Sequence, residues 1–240
     1  ELTEKLKEDE PLISAYYGVK DQGNWEHGGN ILMRTNEDTQ FLKEHSLTAQ
    51  EWKTILKKSK NTLLEERKRR IPPGLDDKMI TAWNAMMVCG LTDAYRAFAD
   101  EIFLKLALKN IHFLEKELME GNKLYRSYKT KRSATAGFLD DYAFFIMALI
   151  KLYQVTFDER WIYRAAEMTQ YTIEQFFDNR DGFFFYTSLQ GEQLISRKKE
   201  IFDNVIPSSN AVMAQNLNYL SIFFDREDWR MMAKTMSESL

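Results

Sequence analysis

Residues 137–149 read GFLDDYAFFIMAL, an almost unbroken apolar segment that opens with two aspartates. It has two counterparts in the chain, GLDDKMITAWNAM at 74–86 and IPSSNAVMAQNLN at 206–218. Counted from the second polar residue of each start, successive copies lie 64 and 68 residues apart. A more charged segment follows each copy. The spacing and polarity therefore predict a repeated unit made of two helices.

The two helices of each unit differ in kind. The first is apolar on nearly all sides, whereas the second, which begins DEIFLKLA at 100, DERWIYRA at 158 and REDWRMMA at 226, carries charges throughout. Repeated helix pairs bury their apolar faces by stacking side by side, with the apolar helices inside and the amphipathic ones outside. The sequence therefore predicts a mainly α fold, a partial (α/α) toroid of helical hairpins. Aromatic and β-branched residues at 124–132 and 182–199 predict short β-hairpins between the pairs.

The segment before the repeats differs in composition. YYGVKDQGNWEHGGN at 16–30 contains four glycines and two asparagines, which is typical of turns or a short hairpin. An amphipathic helix follows, ending in the basic run 67–70, where cations suit the negative end of the helix dipole. We predict an irregular N-terminal segment, 1–47, packed on a toroid domain, 48–240.

Composition excludes several classes of function. The 33 Lys and Arg nearly balance the 36 Asp and Glu, for a net charge of -3, which argues against nucleic acid and anionic membranes as partners. The N-terminus does not resemble a signal peptide and no apolar run approaches the ~20 residues of a spanning helix, so we expect a cytoplasmic protein. Cys89 is the single cysteine and predicts an inert, buried thiol. The three histidines are scattered, and neither a metal site nor a cofactor is predicted.

A toroid places the N-terminal ends of its inner helices around one mouth. Asp76 and Asp77 are predicted to begin the first inner helix, and Asp140 and Asp141 the second. One acid suffices to cap a helix, and capping alone explains any single one of them about as well as a site does. The repeated pair favours a site in which one carboxyl donates a proton to a sugar and another activates water or abstracts a proton. These four aspartates are the predicted catalytic residues. The predicted substrate-binding residues are Lys78, Trp83, Asn84, Tyr128, Arg132, Tyr142, Arg197, Ser209 and Asn210.

The motifs also resemble a known family. GNWEHGGNIL (23–32), PPGLDDKMITAWNAMM (72–87), FLDDYAFFIMALIKLYQVTFDERW (138–161) and IPSSNAVMAQNLNYL (206–220) are similar to the C-terminal region of the YyaL-type, spermatogenesis-associated thioredoxin-domain proteins. The resemblance implies an α/α toroid like those of six-hairpin glycosidases and N-acylglucosamine 2-epimerases, of which this chain is expected to be a fragment. It also implies a thioredoxin-like module elsewhere in the protein, since no CxxC is present here. Epimerases of that kind are expected to use histidines on inner helices, which this sequence lacks, so their mechanism is not transferred.

Two functions follow from these patterns. The first is a sugar enzyme, a glycoside hydrolase or a sugar isomerase or epimerase, with a small-molecule sugar as its partner. The alternative is a non-catalytic scaffold that docks a protein partner or the thioredoxin-like module. A mouth closed by ion pairs, such as Lys78 on Asp141, would favour the scaffold. Unpaired acids with perturbed pKa values would favour the enzyme.

Overall fold

The computed structural model describes residues 2–34, 37–191 and 196–238. By its internal contacts the chain divides into two compact units, Glu1–Leu75 and Asp76–Leu240. Each unit has a hydrophobic core of its own. The structure therefore divides the chain at Leu75 and not at residue 47.

The first unit is helical. Its core is a cluster of aromatic rings in which Tyr16 lies 4.7 Å from Trp52 and 5.1 Å from Phe41, centroid to centroid. Because Trp52 packs into this cluster, the long helix that carries it groups with the N-terminal residues. A capping box between Thr48 and Glu51 begins that helix. The segment 1–47 is thus less irregular than predicted, and its packing on the toroid stays a prediction. The helices are α1 (Leu2–Leu6), α2 (Glu10–Tyr16), α3 (Asp38–Glu44) and α4 (Ala49–Lys68).

The second unit confirms the predicted partial toroid. Three helices form an inner row in which α5 packs on α7 and α7 on α9, and each packs on the more charged helix that follows it. The helix α7 is buried over most of its length, as a central inner helix requires. The inner helices are α5 (Thr81–Phe98), α7 (Leu139–Thr156) and α9 (Ser209–Phe224), and the outer helices are α6 (Glu101–Glu117), α8 (Glu159–Phe176) and α10 (Glu227–Glu238).

A tight turn of one kind joins each inner helix to its outer partner. Ala99, Phe157 and Asp225 take the left-handed conformation there, with φ of 54°, 55° and 48°. In the first two turns the next residue is an aspartate whose side chain accepts a hydrogen bond from the new helix, as N-cap residues do. The repeated turn explains why the similar segments DEIFLKLA and DERWIYRA begin directly after the inner helices.

Short strands link the helix pairs, as predicted, but at other positions. Strand β2 (Met119–Glu120) pairs with β3 (Lys123–Leu124), and β5 (Phe177–Asp178) pairs with β6 (Phe183–Phe184), so each hairpin directly follows an outer helix. The hairpin predicted around Gly191 includes residues 192–195, which lie outside the described residues. Elsewhere β1 (Met79–Ile80) pairs with β4 (Ser127–Tyr128) across the first two helix pairs.

The beginnings of the inner helices meet at one rim. Asp141 of α7 accepts a hydrogen bond from the N–H of Ala82 in α5. Asn210 of α9 exchanges hydrogen bonds with the backbone of Phe184, and the carbonyl of Tyr186 accepts one from the first N–H of α7.

None of the helices in the described ranges could span a lipid bilayer.

Candidate functional site

The first predicted acid pair lies outside the helix that it was expected to begin. Helix α5 starts at Thr81, because β1 holds the two preceding residues extended against β4. Asp76 and Asp77 are exposed in the segment before that strand. Asp77 Oδ1 lies 2.7 Å from Lys129 Nζ, and this hydrogen bond holds the pKa of Asp77 below its usual range. The prediction that these acids start α5 is therefore wrong.

The second acid pair is where it was predicted, in the first turn of α7, but it is buried. The side chain of Asp140 is 7% exposed and that of Asp141 is not exposed at all. Arg126 Nη1 donates to both oxygens of Asp140, at 2.7 and 2.8 Å, and to Asp141 Oδ2 at 3.0 Å. One guanidinium thus faces two carboxylates and balances the charge of only one, so that one negative charge is in excess when both are ionised.

Asp141 joins three parts of the unit. Its Oδ1 accepts from the N–H of Ala82 at 2.9 Å, and its Oδ2 accepts from the N–H of Phe138 at 2.9 Å, which closes the N-terminus of α7. Burial, and then the charge of Asp140, raise the pKa of Asp141 to about 7, although Arg126 opposes both effects. Both oxygens of Asp141 accept hydrogen bonds and its side chain has no exposed surface. Asp141 therefore holds the starts of α5 and α7 together, and we call it the brace of the rim.

Lys78 and Trp83 are exposed near the start of α5. Lys78 Nζ lies 3.4 Å from Asp76 and does not close on Asp141, while Trp83 is 60% exposed. Neither residue has a contact that ties it to the buried acid pair. Their substrate-binding roles stay predictions.

Of three other predicted binding residues, Tyr142 is buried, whereas Asn84 and Tyr128 are half-buried. Tyr142 is 2% exposed, and its hydroxyl accepts a hydrogen bond from the N–H of Leu124, so its ring offers no face to a ligand. Asn84 donates to the carbonyl of Ile80, the residue that precedes its helix. Tyr128 packs edge-on against Phe113 of α6. We therefore correct the prediction that Tyr142 binds substrate.

The polar start of α9 is a structural cap. Ser208 Oγ accepts from the N–H of Ala211, as expected of an N-cap. Asn210 is buried and its amide donates to the carbonyls of Phe184 and Glu200. Ser209 is also buried, and its Oγ has no hydrogen-bond partner within the described part of the chain.

The two arginines predicted to bind substrate, Arg132 and Arg197, have partners within the protein. Arg132 Nη2 lies 3.1 Å from Glu120, and its guanidinium lies 4.1 Å from the ring centroid of Tyr125. Arg197 donates to the backbone carbonyls of Thr187 and Gln175. Both arginines therefore stabilise local structure in this chain.

Residues that sequence reasoning missed gather beside Asp140. Phe138 and Tyr186 stack at 5.0 Å with ring planes 22° apart, and the Arg126 guanidinium lies 5.2 Å from the Phe138 centroid. Burial, and then Asp140, raise the pKa of Tyr186. Glu200 is largely exposed, and the partial burial of its carboxyl group, and then Asp140, raise its pKa while Arg126 opposes them. We call Arg126, Phe138, Asp140, Tyr186 and Glu200 the rim cluster.

Several polar groups of the rim cluster have no hydrogen-bond partner among the described residues. Arg126 donates to the two aspartates through Nη1 alone, so Nε and Nη2 have no acceptor in the described part of the chain. The Tyr186 hydroxyl and the Glu200 carboxylate likewise have no hydrogen-bond partner within the described ranges. The cluster therefore offers donors and an acceptor beside two stacked rings, which is the composition of a site for a hydroxylated ligand.

A cavity of about 500 Å³ adjoins the cluster at Phe138. Two loops form its walls, one before α7 and one after β6. Its volume falls within the range of small-molecule sites, roughly 300–1,000 Å³. The residues that line it are Lys123, Ala134, Thr135, Ala136, Gly137, Phe138, Thr187, Ser188, Gln190 and Gly191.

Comparison with known sequences finds relatives that align with most of this chain. The chain is 28% identical over 238 residues to spermatogenesis-associated protein 20 of Mus musculus, an alignment that covers 91% of this chain. A protein of Caenorhabditis elegans is 28% identical over 236 residues. The family resemblance inferred from the motifs is confirmed. The chain spans about 30% of the length of these relatives, and no family model matches it.

Comparison with solved structures supports the toroid. A family 76 glycoside hydrolase, an α-mannanase of Bacteroides thetaiotaomicron, aligns over 70% of this chain and 44% of its own, with a TM-score of 0.54 and 18% identity. A cellobiose 2-epimerase of Bacillus thermoamylovorans aligns over 66% of this chain and 43% of its own, with a TM-score of 0.55 and 16% identity. A D-mannose isomerase gives a TM-score of 0.57 at 13% identity, over 67% of this chain and 41% of its own. The chain therefore shares the (α/α) toroid fold with these three proteins.

Could the sequence have revealed the rim cluster? Arg126 lies in the basic stretch 124–132, but nothing local separates it from Lys129 and Arg132. Tyr186 and Glu200 are far from Arg126 in the chain, and hydrogen bonds to the starts of α7 and α9 hold their backbones in place. Their convergence is set by tertiary structure and leaves no pattern in the chain.

Proposed function

We propose that the rim cluster binds a small sugar, and that this chain is the binding part of a sugar-processing toroid. One observation carries the proposal: unpartnered polar groups of Arg126 and Tyr186 lie beside stacked aromatic rings at the starts of inner helices. Sugar hydroxyls need donors and acceptors together, and apolar ring faces pack on aromatic side chains. The likeness to a mannanase, an epimerase and an isomerase supports the choice of ligand class.

Within this proposal the predicted acids change roles. Asp140 holds Arg126 in place and supplies negative charge, while Asp141 braces the rim. Asp77 is paired with Lys129 on the surface. Hydrolysis by the two adjacent aspartates loses support, because neither has an oxygen free for water or a leaving group.

The test is calorimetric titration of the full-length protein with mannose, glucose, N-acetylglucosamine, cellobiose and mannobiose. We expect binding of at least one of them in the millimolar range or tighter. Tyr186→Phe, which removes a hydroxyl without a protein partner, should weaken it about 5-fold or more, as loss of one hydrogen bond does. The matched control is Tyr163→Phe, at an exposed tyrosine of the outer helix α8. Absence of binding across the panel would remove the proposal.

A second candidate function also has an observation in its favour. Each predicted catalytic aspartate takes part in an ion pair, which is the state expected of a scaffold. In that case the unit would present its surface to a thioredoxin-like module of the full-length protein. Crosslinking of the full-length protein, read by mass spectrometry, tests this: crosslinks between the module and α5 to α10 support it, and their absence counts against it.

A further inference from the structure

A second cavity lies between the three inner helices, away from the rim. Its volume is about 100 Å³, and residues of α5, α7 and α9 line it. Lys151, on its wall, follows Asp140 by 11 residues in α7, and a helix rises 1.5 Å per residue, so the two lie about 16 Å apart along the helix. A monosaccharide is too small to reach both places, and the cavity is therefore a separate candidate site. Its polar lining residues are Arg96, Lys151, Gln154, Gln215, Asn216 and Tyr219.

Two side-chain interactions join the helices around this cavity. Lys151 Nζ of α7 donates to both oxygens of Asp93 in α5, each at 2.7 Å. On the other side, Asn216 Nδ2 of α9 donates to the carbonyl of Ala143 in α7 at 2.8 Å. Asn216 is 1% exposed, and its Oδ1 has no hydrogen-bond partner in the described part of the chain. Contacts between neighbouring helices therefore fix the walls of the cavity relative to one another.

Most of the polar side chains around the cavity have no partner in the protein. Inner helices are otherwise apolar on nearly all sides, so one polar residue is unremarkable but several that line the same cavity, from three helices, form a pattern. Together they provide guanidinium, amide and hydroxyl donors to a bound group. The side chains that make no hydrogen bond or ion pair within the described residues are those of Arg96, Gln154, Gln215 and Tyr219.

The charges on the cavity wall favour an anion. Arg96 and Lys151 are the charged residues among those that line it, and both are cations. Lys151 pairs with Asp93, so the charges of these two cancel and the charge of Arg96 has no counterpart. A guanidinium binds phosphate and carboxylate oxygens through paired N–H donors. The cavity thus combines a net positive charge with neutral donors.

Size and donor arrangement indicate which anion fits. Small-molecule sites usually measure roughly 300–1,000 Å³, so a cavity of about 100 Å³ accommodates one functional group of a ligand and not a whole sugar. A phosphate group presents three terminal acceptor oxygens, whereas a carboxylate presents two. Donors that come from three helices around one cavity match the phosphate group better.

We propose that this cavity binds the phosphate group of a small ligand, with the guanidinium of Arg96 as its main contact. The amides of Gln154 and Gln215 and the hydroxyl of Tyr219 supply further hydrogen bonds. The phosphate binds as an anion, and no covalent bond forms or breaks. Because the group contacts α5, α7 and α9 at once, its binding also stabilises the inner row. This site is independent of the sugar site proposed above.

The test is calorimetric titration of the full-length protein with sodium phosphate at constant ionic strength, since salt screens exposed charges. We expect saturable binding with a Kd in the millimolar range or tighter. Arg96→Gln should weaken it about 10-fold or more, because a hydrogen bond to a charged group contributes that much. Arg96 is exposed and without an ion pair among the described residues, so this variant should keep the wild-type urea midpoint. The matched control, Lys105→Gln, removes the same charge from an exposed side chain of the outer helix α6 and should bind phosphate like the wild type.

A second variant tests the cavity from the opposite helix. Gln215→Glu places a negative charge on the wall at an exposed position of α9, so the protein should fold normally and bind no phosphate. Glucose 6-phosphate should bind at least as tightly as phosphate, and acetate more weakly. Absence of saturable phosphate binding, wild-type affinity in Arg96→Gln or Gln215→Glu, or equal affinity for acetate and phosphate would overturn the proposal. Phosphate binding in a protein that binds no sugar would leave this inference standing and overturn the sugar site alone.

Discussion

Asp141 Oδ1 accepts a hydrogen bond of 2.9 Å from the backbone N–H of Ala82, which lies 59 residues earlier in the chain. The bond joins the first turns of two adjacent inner helices. The same carboxylate also closes its own helix at Phe138 and faces Arg126. The acid that the sequence suggested as a catalyst is therefore a structural brace, and the consequences can be measured.

Asp141→Asn should destabilise the second unit strongly. The amide keeps one acceptor oxygen, but its NH2 group meets donors in place of the second oxygen, either the N–H groups of Phe138 and Arg126 or that of Ala82. A buried donor left without an acceptor costs about 1–3 kcal/mol. Urea unfolding followed by circular dichroism should show the midpoint fall by a corresponding amount.

The control for this variant is Asp77→Asn. Asp77 is exposed and its partner Lys129 is half exposed, so the loss of their ion pair should leave the urea midpoint unchanged within error. Equal effects at the two positions would contradict the assignment of Asp141 as the brace.

The fold could be predicted from the sequence because its signals are local. The polarity of each helix and the repeat of the hairpin appear directly in the residues of 74–86, 137–149 and 206–218. The toroid follows from these features, since apolar helices must lie inside amphipathic ones.

The site could be predicted only in part, because its signals are not local. Asp76 and Asp140 both open a similar motif, yet one is exposed and the other is buried on Arg126. What separates them is the pairing of β1 with β4, which keeps the first motif extended. No inspection of adjacent residues reveals a strand partner nearly 50 positions away.

Tyr142→Phe tests the correction made at a second predicted position. The Tyr142 hydroxyl accepts the N–H of Leu124 at 2.9 Å inside the core, and phenylalanine would leave that N–H unpaired. A buried donor without a partner costs about 1–3 kcal/mol. Chemical denaturation should detect this loss, while sugar titration should give an unchanged Kd. Tyr128→Phe, at a half-buried tyrosine, is the control and should be neutral; a weaker Kd in Tyr142→Phe would restore the ring to the site.

Cys89 should be unreactive in the native protein. It is buried in α5, and burial raises the pKa of its thiol to about 12. Because the thiolate is the reactive form, modification by Ellman's reagent at pH 8 should be about 10³-fold slower than for a free cysteine. Addition of denaturant should restore the full rate. Rapid modification without denaturant would show that α5 opens or that the thiol is accessible.

The raised pKa of Asp141 predicts how the free energy of unfolding depends on pH. Asp141 has its pKa raised to about 7 by burial and then by Asp140, whereas its ordinary value is 3.8. The folded state therefore holds a proton that the unfolded state has released, and this stabilisation is complete below the ordinary pKa and is lost as the pH rises through about 7. The free energy of unfolding should fall between pH 5 and pH 8. In Asp140→Asn, Arg126 faces a single carboxylate, so the fall should be smaller.

Asp178→Asn is the matched control for that series. Arg180, and then Lys199, hold the pKa of Asp178 below its usual range, so this carboxyl stays ionised in the folded and the unfolded states between pH 5 and pH 8. Its removal should therefore leave the slope over this interval unchanged and alter the profile only in acid. Urea unfolding at half-unit steps of pH measures all three proteins. A wild-type free energy that stays level or rises from pH 5 to pH 8, or an equal slope in Asp140→Asn, would mean that the two buried carboxylates do not share their one cation as the structure indicates.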